Sequence, residues 1–119
     1  MASTTTLQLY AIDDLDGLYF FREPDEVRRF LTTYPFLIPL LVEARDVIAQ
    51  HFPAATRVAL NLLYDRESEN EDDTELFALV QTSLPPEEAR PLLDRFTQEW
   101  WLRVFRRAQG RLEFNLWYV

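Results

Sequence analysis

The chain has 119 residues, 48% of them hydrophobic and 14% aromatic, enough for one domain to bury a core without metals or disulfides. With no cysteine there is no disulfide framework, no thiolate nucleophile and no Cys-based zinc site. A formal net charge of -8 repels phosphate backbones and anionic lipid, which argues against nucleic acid and membrane as partners; solubility accounts for such a charge, and attraction to a basic protein is the sharper reading.

The opening MASTTTLQLY has no basic segment followed by an apolar run, and no stretch reaches the roughly 18 apolar residues of a membrane span, so a soluble, cytoplasmic protein is expected. In TLQLYAIDDLDGLYFF, alternation around Leu7, Leu9 and Ala11 breaks at Asp13, Asp14, Asp16 and Gly17 and resumes at Leu18 to Phe21. That pattern predicts a β-hairpin with a loop longer than two residues. Asp25 and Glu26 after Pro24 form the acidic first turn of a short helix, from about Pro24 to Thr33, and Pro35 stops it at Tyr34. Leu37, Leu41, Ala44, Ile48 and Phe52 are spaced as the buried stripe of a second, longer helix. Pro39 has no N–H to donate, so regular helix is expected from about Ile38 or Pro39, and Pro53 closes it.

TRVALNLLYD alternates as a strand, with Val58, Leu60, Leu62 and Tyr64 on one face. ELFALVQT, from Glu75, is apolar on both faces and suits the interior of a sheet. The connection RESENEDDT is too polar to pack and reads as a solvated hairpin loop. Pro85-Pro86 with Glu87 and Glu88 starts a third helix, which ends before Gly110 with Arg103, Arg106 and Arg107 near its C-terminal dipole. RLEFNLWYV closes as a strand, with Leu112, Phe114, Leu116 and Tyr118 on one face and Glu113, Asn115 and Trp117 on the other.

The order hairpin, two helices, hairpin, helix, strand predicts a single α+β domain over residues 1–119. It has two layers: a largely antiparallel or mixed sheet with about three helices packed on one face. Residues 1–23 form an N-terminal hairpin extension of a core spanning 24–119. The doubly apolar LFALV favours a final strand running parallel beside it. The opposite sheet face, with Ala59, Asn61, Glu113, Asn115 and Trp117, is only half polar and needs water, the N-terminal hairpin or a second subunit against it.

YPFLIPLLVEARDVI, ELFALVQTSLPPEEARPLLDRF, EWWL and the closing GRLEFNLWY together resemble a family of small acidic bacterial proteins, cytoplasmic and without an assigned activity. The resemblance covers roughly residues 25–119. It implies a shared small α/β fold, transfers no functional residue, and leans toward a partner-binding role.

Catalytic parts are scarce. The single histidine, His51, ends the second helix, where the dipole favours it without any catalytic role. Two glycines, Gly17 and Gly110, leave no room for a phosphate-binding loop or dinucleotide fingerprint. The run Asp65, Glu67, Glu69, Glu71, Asp73 loosely follows a calcium loop but has Asn70 where Gly is wanted and Leu76 in place of the bidentate Glu. No cofactor, metal or catalytic residue is assigned.

FTQEWWLRVF raises a problem of geometry. At about 100° per residue, Ala89, Leu92, Leu93, Phe96, Trp100 and Val104 share the core face, and Trp101 falls on the flank beside Phe105 and Thr97. The expectation is therefore a core Trp100 and a flanking Trp101, covered either by this chain or by another. Three functions remain. The leading one is a non-catalytic protein-interaction module, homodimeric or an acidic partner of a basic protein, with Trp101, Phe105, Trp117 and the acidic residues Glu69, Glu71, Asp72 and Asp73 as candidate contacts. The alternatives are a small-molecule-binding domain with aromatic walls and, last, an acidic-residue hydrolase.

Overall fold

In a computed structural model the described residues are 10–53, 56–63 and 74–119. Helix α1 (Pro24–Thr33) has Pro24 at its start and Asp25 and Glu26 in its first turn. Helix α2 (Leu37–His51) admits Pro39 because that residue lies in the first turn, where no intrahelical N–H is needed. Its expected stripe is inside: Leu37, Leu41, Ala44 and Ile48 are fully buried and Phe52 nearly so. Helix α3 (Pro86–Phe96) follows Pro85, with Glu87 and Glu88 in its first turn. No helix among the described residues is long and apolar enough to cross a membrane.

The strands are β1 (Phe20–Phe21), β2 (Val58–Leu63), β3 (Glu75–Thr82) and β4 (Leu112–Tyr118). They form one mixed sheet in the order β1-β2-β3-β4. β2 and β3 are antiparallel, with Leu60 opposite Ala78, while β4 runs parallel to β3, with Ala78 opposite Phe114. β3 is interior, as its two apolar faces require, and β4 lies beside it in the expected sense. Val58, Leu60, Leu76, Ala78, Val80 and Leu112 form the sheet side of the core, and α1, α2 and α3 supply Val27, Leu31, Leu41, Ile48, Ala89 and Phe96 from above.

Of the expected N-terminal hairpin, the described residues hold the loop and the second arm. Its first arm, with Leu7 and Leu9, lies outside the described residues, as does Tyr64 of the second strand. The Asp cluster forms a 3-10 turn, Ile12–Leu15, whose Asp14 carboxylate accepts from the Ala11 N–H at 2.7 Å. Asp13 and Asp16 both pair with Arg28 of α1, so these acids anchor the turn to a helix. Leu15 is fully buried beneath them. The chain then enters the sheet edge as β1, parallel to β2, with Phe20 opposite Ala59 and Phe21 opposite Leu60.

Two buried polar contacts fix that entry. The Tyr19 hydroxyl donates to the Leu41 carbonyl at 2.7 Å, and burial holds this phenol protonated far above its usual range. Arg45 of α2 donates from Nε to the Leu18 carbonyl at 3.1 Å and from Nη2 to the Thr56 carbonyl at 2.7 Å. One guanidinium thus clamps both the segment before β1 and the segment before β2 to the same helix.

The third helix overturns the periodicity expectation for the Trp pair. After Phe96 the backbone passes into a π turn, Thr97–Trp101, in which the Leu102 N–H reaches the Thr97 carbonyl five residues back. Such a turn holds one residue more than an α turn, so the position five residues on takes the place that four residues on would occupy. Trp101 therefore stands one turn above Phe96 and is only 6% exposed. Trp100, the expected core residue, is half-buried beside it. Both indoles close on Phe114 of β4, with ring centroids at 4.7 Å for Trp101 and 6.3 Å for Trp100, and Phe96 joins at 5.0 Å. These edge-on geometries are the favoured ones for aromatic pairs.

The helical run then continues through Leu102–Val104 and a 3-10 turn, Phe105–Ala108. Gln109 and Gly110 adopt left-handed φ of 51° and 75°, turning the chain into β4 as a helix-ending glycine does. We expect Trp101→Ala to destabilise by about 3–5 kcal/mol and Trp100→Ala by clearly less, the reverse of an unbroken α-helix. Urea unfolding of both variants checks the order.

Candidate functional site

Helices cover one face of the sheet and leave the other without a layer among the described residues. The parity that sends Leu60, Ala78 and Phe114 into the core sends Ala59, Asn61 and Leu63 of β2, Phe77, Leu79 and Gln81 of β3, and Glu113, Asn115 and Trp117 of β4 outward. Phe20 of β1 adds a ring that is 61% exposed, and Leu63 is 54% exposed. Ala59 alone is fully buried on this side, because Phe20 and Leu79 flank it in the ladder. The half-polar face read from sequence is thus real, and it is richer in aromatics than Asn61, Glu113 and Asn115 suggested.

Its electrostatics are unbalanced in a specific way. Glu113 has its carboxyl raised above the usual range, first by partial burial and then by the Glu75 carboxylate nearby. Among the described residues no ion pair joins Glu75 or Glu113 to a cation. Arg22, on the same face by parity, lies over the Trp117 ring with its guanidinium carbon 5.1 Å from the centroid. A stacked arginine keeps its donors free at the ring's edge while gaining from the ring quadrupole.

The sequence candidates do not converge. Trp117 belongs to the open face. Phe105, 44% exposed, lies in the helical run together with the exposed Leu102. Trp101 is covered by its own chain, so it is withdrawn as a contact residue: the π turn rotated it into the core. Glu69, Glu71, Asp72 and Asp73, and with them the calcium-like run, lie outside the described residues. Sequence reasoning missed Phe20, Leu63, Phe77, Leu79 and Arg22, although strict alternation through ELFALVQT puts Phe77 and Leu79 opposite the core residues.

His51 has a structural setting. Its Nδ1 lies 2.9 Å from the Val47 carbonyl and its Nε2 2.6 Å from the Glu99 carboxylate in the π turn. Two acceptors for two ring nitrogens suit the imidazolium, which donates from both. The Val47 carbonyl, followed by Glu99, raises its pKa above the ordinary value of 6.5, against a lowering by burial. The ring also packs edge-on against Phe96 at 6.2 Å, so it joins α2 to the Trp cluster. The other perturbed carboxyl, the exposed Glu23 at the start of α1, is raised by its hydrogen bond to Glu26. No group of three or more His, Cys, Asp or Glu among the described residues is placed to hold a metal ion.

Comparison with protein-family models, with curated proteins and with solved structures finds no match. The function must therefore be argued from this face and its chemistry.

A raised folded-state pKa means that His51 stabilises the fold fully below its unfolded value, near 6.5, and loses that contribution as pH climbs through the higher folded value. The difference in urea midpoint between the parent and His51→Gln should accordingly be largest near pH 6 and shrink by pH 9, while Glu99→Gln should flatten the same dependence.

Proposed function

We propose that this domain is a non-catalytic protein-interaction module, working in the cytoplasm, and that its contact surface is the sheet face turned away from the helices. The observation that carries the reading is the exposure of Phe20 and Leu63 on a face that also holds Phe77, Leu79 and Trp117. Covering an apolar side chain of this size fully is worth about 1.5–3 kcal/mol, so Phe20 and Leu63 at their present exposure offer roughly 1 kcal/mol each. That is enough to favour a partner and too little to bind one alone. The pair Glu75 and Glu113 supplies the second requirement, a cation from the other side, and the net charge of -8 works in the same direction.

A small-molecule pocket between the layers is less favoured, because the large aromatics there close on one another around Phe114. A hydrolytic role is also less favoured. It would rest on Glu23 with Glu26 or Glu75 with Glu113, and no group of three or more His, Cys, Asp or Glu among the described residues is placed to hold a metal ion that would activate water for either pair.

The test compares capture of proteins from a native extract by the parent and by Phe20→Ser and Leu63→Ser. Both substitutions touch exposed side chains, so the melting temperature should change little while the captured partner falls at least tenfold. An unchanged capture profile would sink the reading.

A further inference from the structure

Among the described residues β4 is an edge of the sheet with no strand beyond it, and its hydrogen-bonding pattern says which groups it offers. The Arg111 carbonyl accepts from Leu76 and the Val119 N–H donates to Thr82, so the odd-numbered residues of this strand bond inward to β3. In a parallel ladder alternate residues bond to the same neighbour, so Leu112, Phe114, Leu116 and Tyr118 point their N–H and C=O groups outward. One of these, the Leu116 N–H, is taken by the Asn115 side chain of the same strand at 2.8 Å. Seven residues, without proline or lysine, make this an edge ready to pair with another strand.

The strand is also nearly self-complementary. Laid antiparallel on a second copy about a two-fold axis at Asn115, its middle residue, it places Leu112 opposite Tyr118 and Phe114 opposite Leu116. Those are the outward-bonding residues, so each such pair exchanges both main-chain bonds. The remaining opposed pairs are Asn115 with its own copy and Glu113 with Trp117, the latter twice by symmetry. Opposed side chains of this kind lie on one face with Cα atoms about 4.5 Å apart. Glu113 of each chain thereby arrives beside the other chain's Trp117, over which Arg22 is stacked. Glu113, which has no ion pair among the described residues, thus meets the guanidinium of Arg22, whose nearby carboxylate in its own chain is the exposed Glu23, at two equivalent places.

We propose that this protein forms a homodimer by antiparallel pairing of β4 edges, joining two four-stranded sheets into one, with Arg22 and Glu113 pairing across the two-fold. This names a second copy as the partner of the β4 edge; it rests on the reading above in that it uses Arg22, Glu113 and Trp117 of the open face, while Phe20 on the opposite edge strand and Leu63 stay uncovered. Displacing the Asn115 side chain from the Leu116 N–H exchanges one hydrogen bond for a main-chain one, so that donor stays satisfied. Two chains of charge -8 repel, but at physiological salt the field beyond about 8 Å is screened, so the local pairs decide. A seven-residue edge is a small interface, so the association is reversible and depends on protein concentration.

Sedimentation equilibrium of the full chain over a concentration series tests this, with circular dichroism of each variant as the folding control. Arg22 and Glu113 are both exposed, so Arg22→Glu and Glu113→Arg should stay folded, and each should weaken dimerisation at least tenfold. The swapped double variant should recover most of the loss. Recovery supports the β4 register, because Arg22 and Glu113 do not pair within one chain. A dimer indifferent to these substitutions overturns the register. A monomer at all concentrations overturns the homodimer. In that last case, loss of a captured protein on Phe20→Ser would leave the contact-face reading standing, and unchanged capture would remove both.

Discussion

The structure depends on a single irregular turn. Two adjacent tryptophans cannot share the inner face of an α-helix, since about 100° separates them, yet both indoles here meet Phe114 of β4. The π turn at Thr97–Trp101 resolves the conflict by widening the helix by one residue at the point where it crosses the sheet. The wide turn also carries Glu99 to His51, so the C-terminal end of α2 is tied to the same cluster. With the indoles inside, the helical layer is closed over the sheet by its own aromatics.

The consequence is felt on the other side of the sheet. α1, α2 and α3 all pack on one face, and the Tyr19 and Arg45 contacts hold the chain before β1 against α2. β1 then has only two residues in which to join the sheet, and Phe20 is left on the uncovered side. Aromatic area, an uncompensated carboxylate and a stacked arginine therefore collect where no layer of this chain lies among the described residues. The site arises from what the helical layer cannot reach.

Much of this was legible from residue order. Prolines and acidic first turns set the starts of α1, α2 and α3, and Gly110 set the last turn, because those signals act on the backbone locally. Alternation placed β2, β3 and β4 with their faces, and the doubly apolar LFALV pointed to an interior strand with β4 parallel beside it. The π turn was not legible. Periodicity assumes a constant angle per residue, and only tertiary competition between two indoles for Phe114 changes that angle. Asp13 and Asp16 read as turn residues and lie in a turn, but their pairing with Arg28 of α1 was not legible, because nothing local in the sequence points to it. The contact face was half visible: Trp117 and Glu113 were placed, but Phe20 and Arg22 could not be assigned to that face before β1 was known to pair with β2.

The central claim is that an extra residue in the Thr97–Trp101 turn puts Trp101 in the core, against β4 and away from the open sheet face. Deletion of Gln98, an exposed residue of that turn, tests it most directly when followed by urea unfolding. If the turn holds one residue too many, the deletion restores an ordinary helix with Trp101 four residues after Phe96, and the protein stays folded at a cost of about 1–2 kcal/mol, chiefly the lost contact of Glu99 with His51. If the helix were regular, the same deletion would rotate every following side chain by about 100°, and loss of cooperative unfolding would contradict the account.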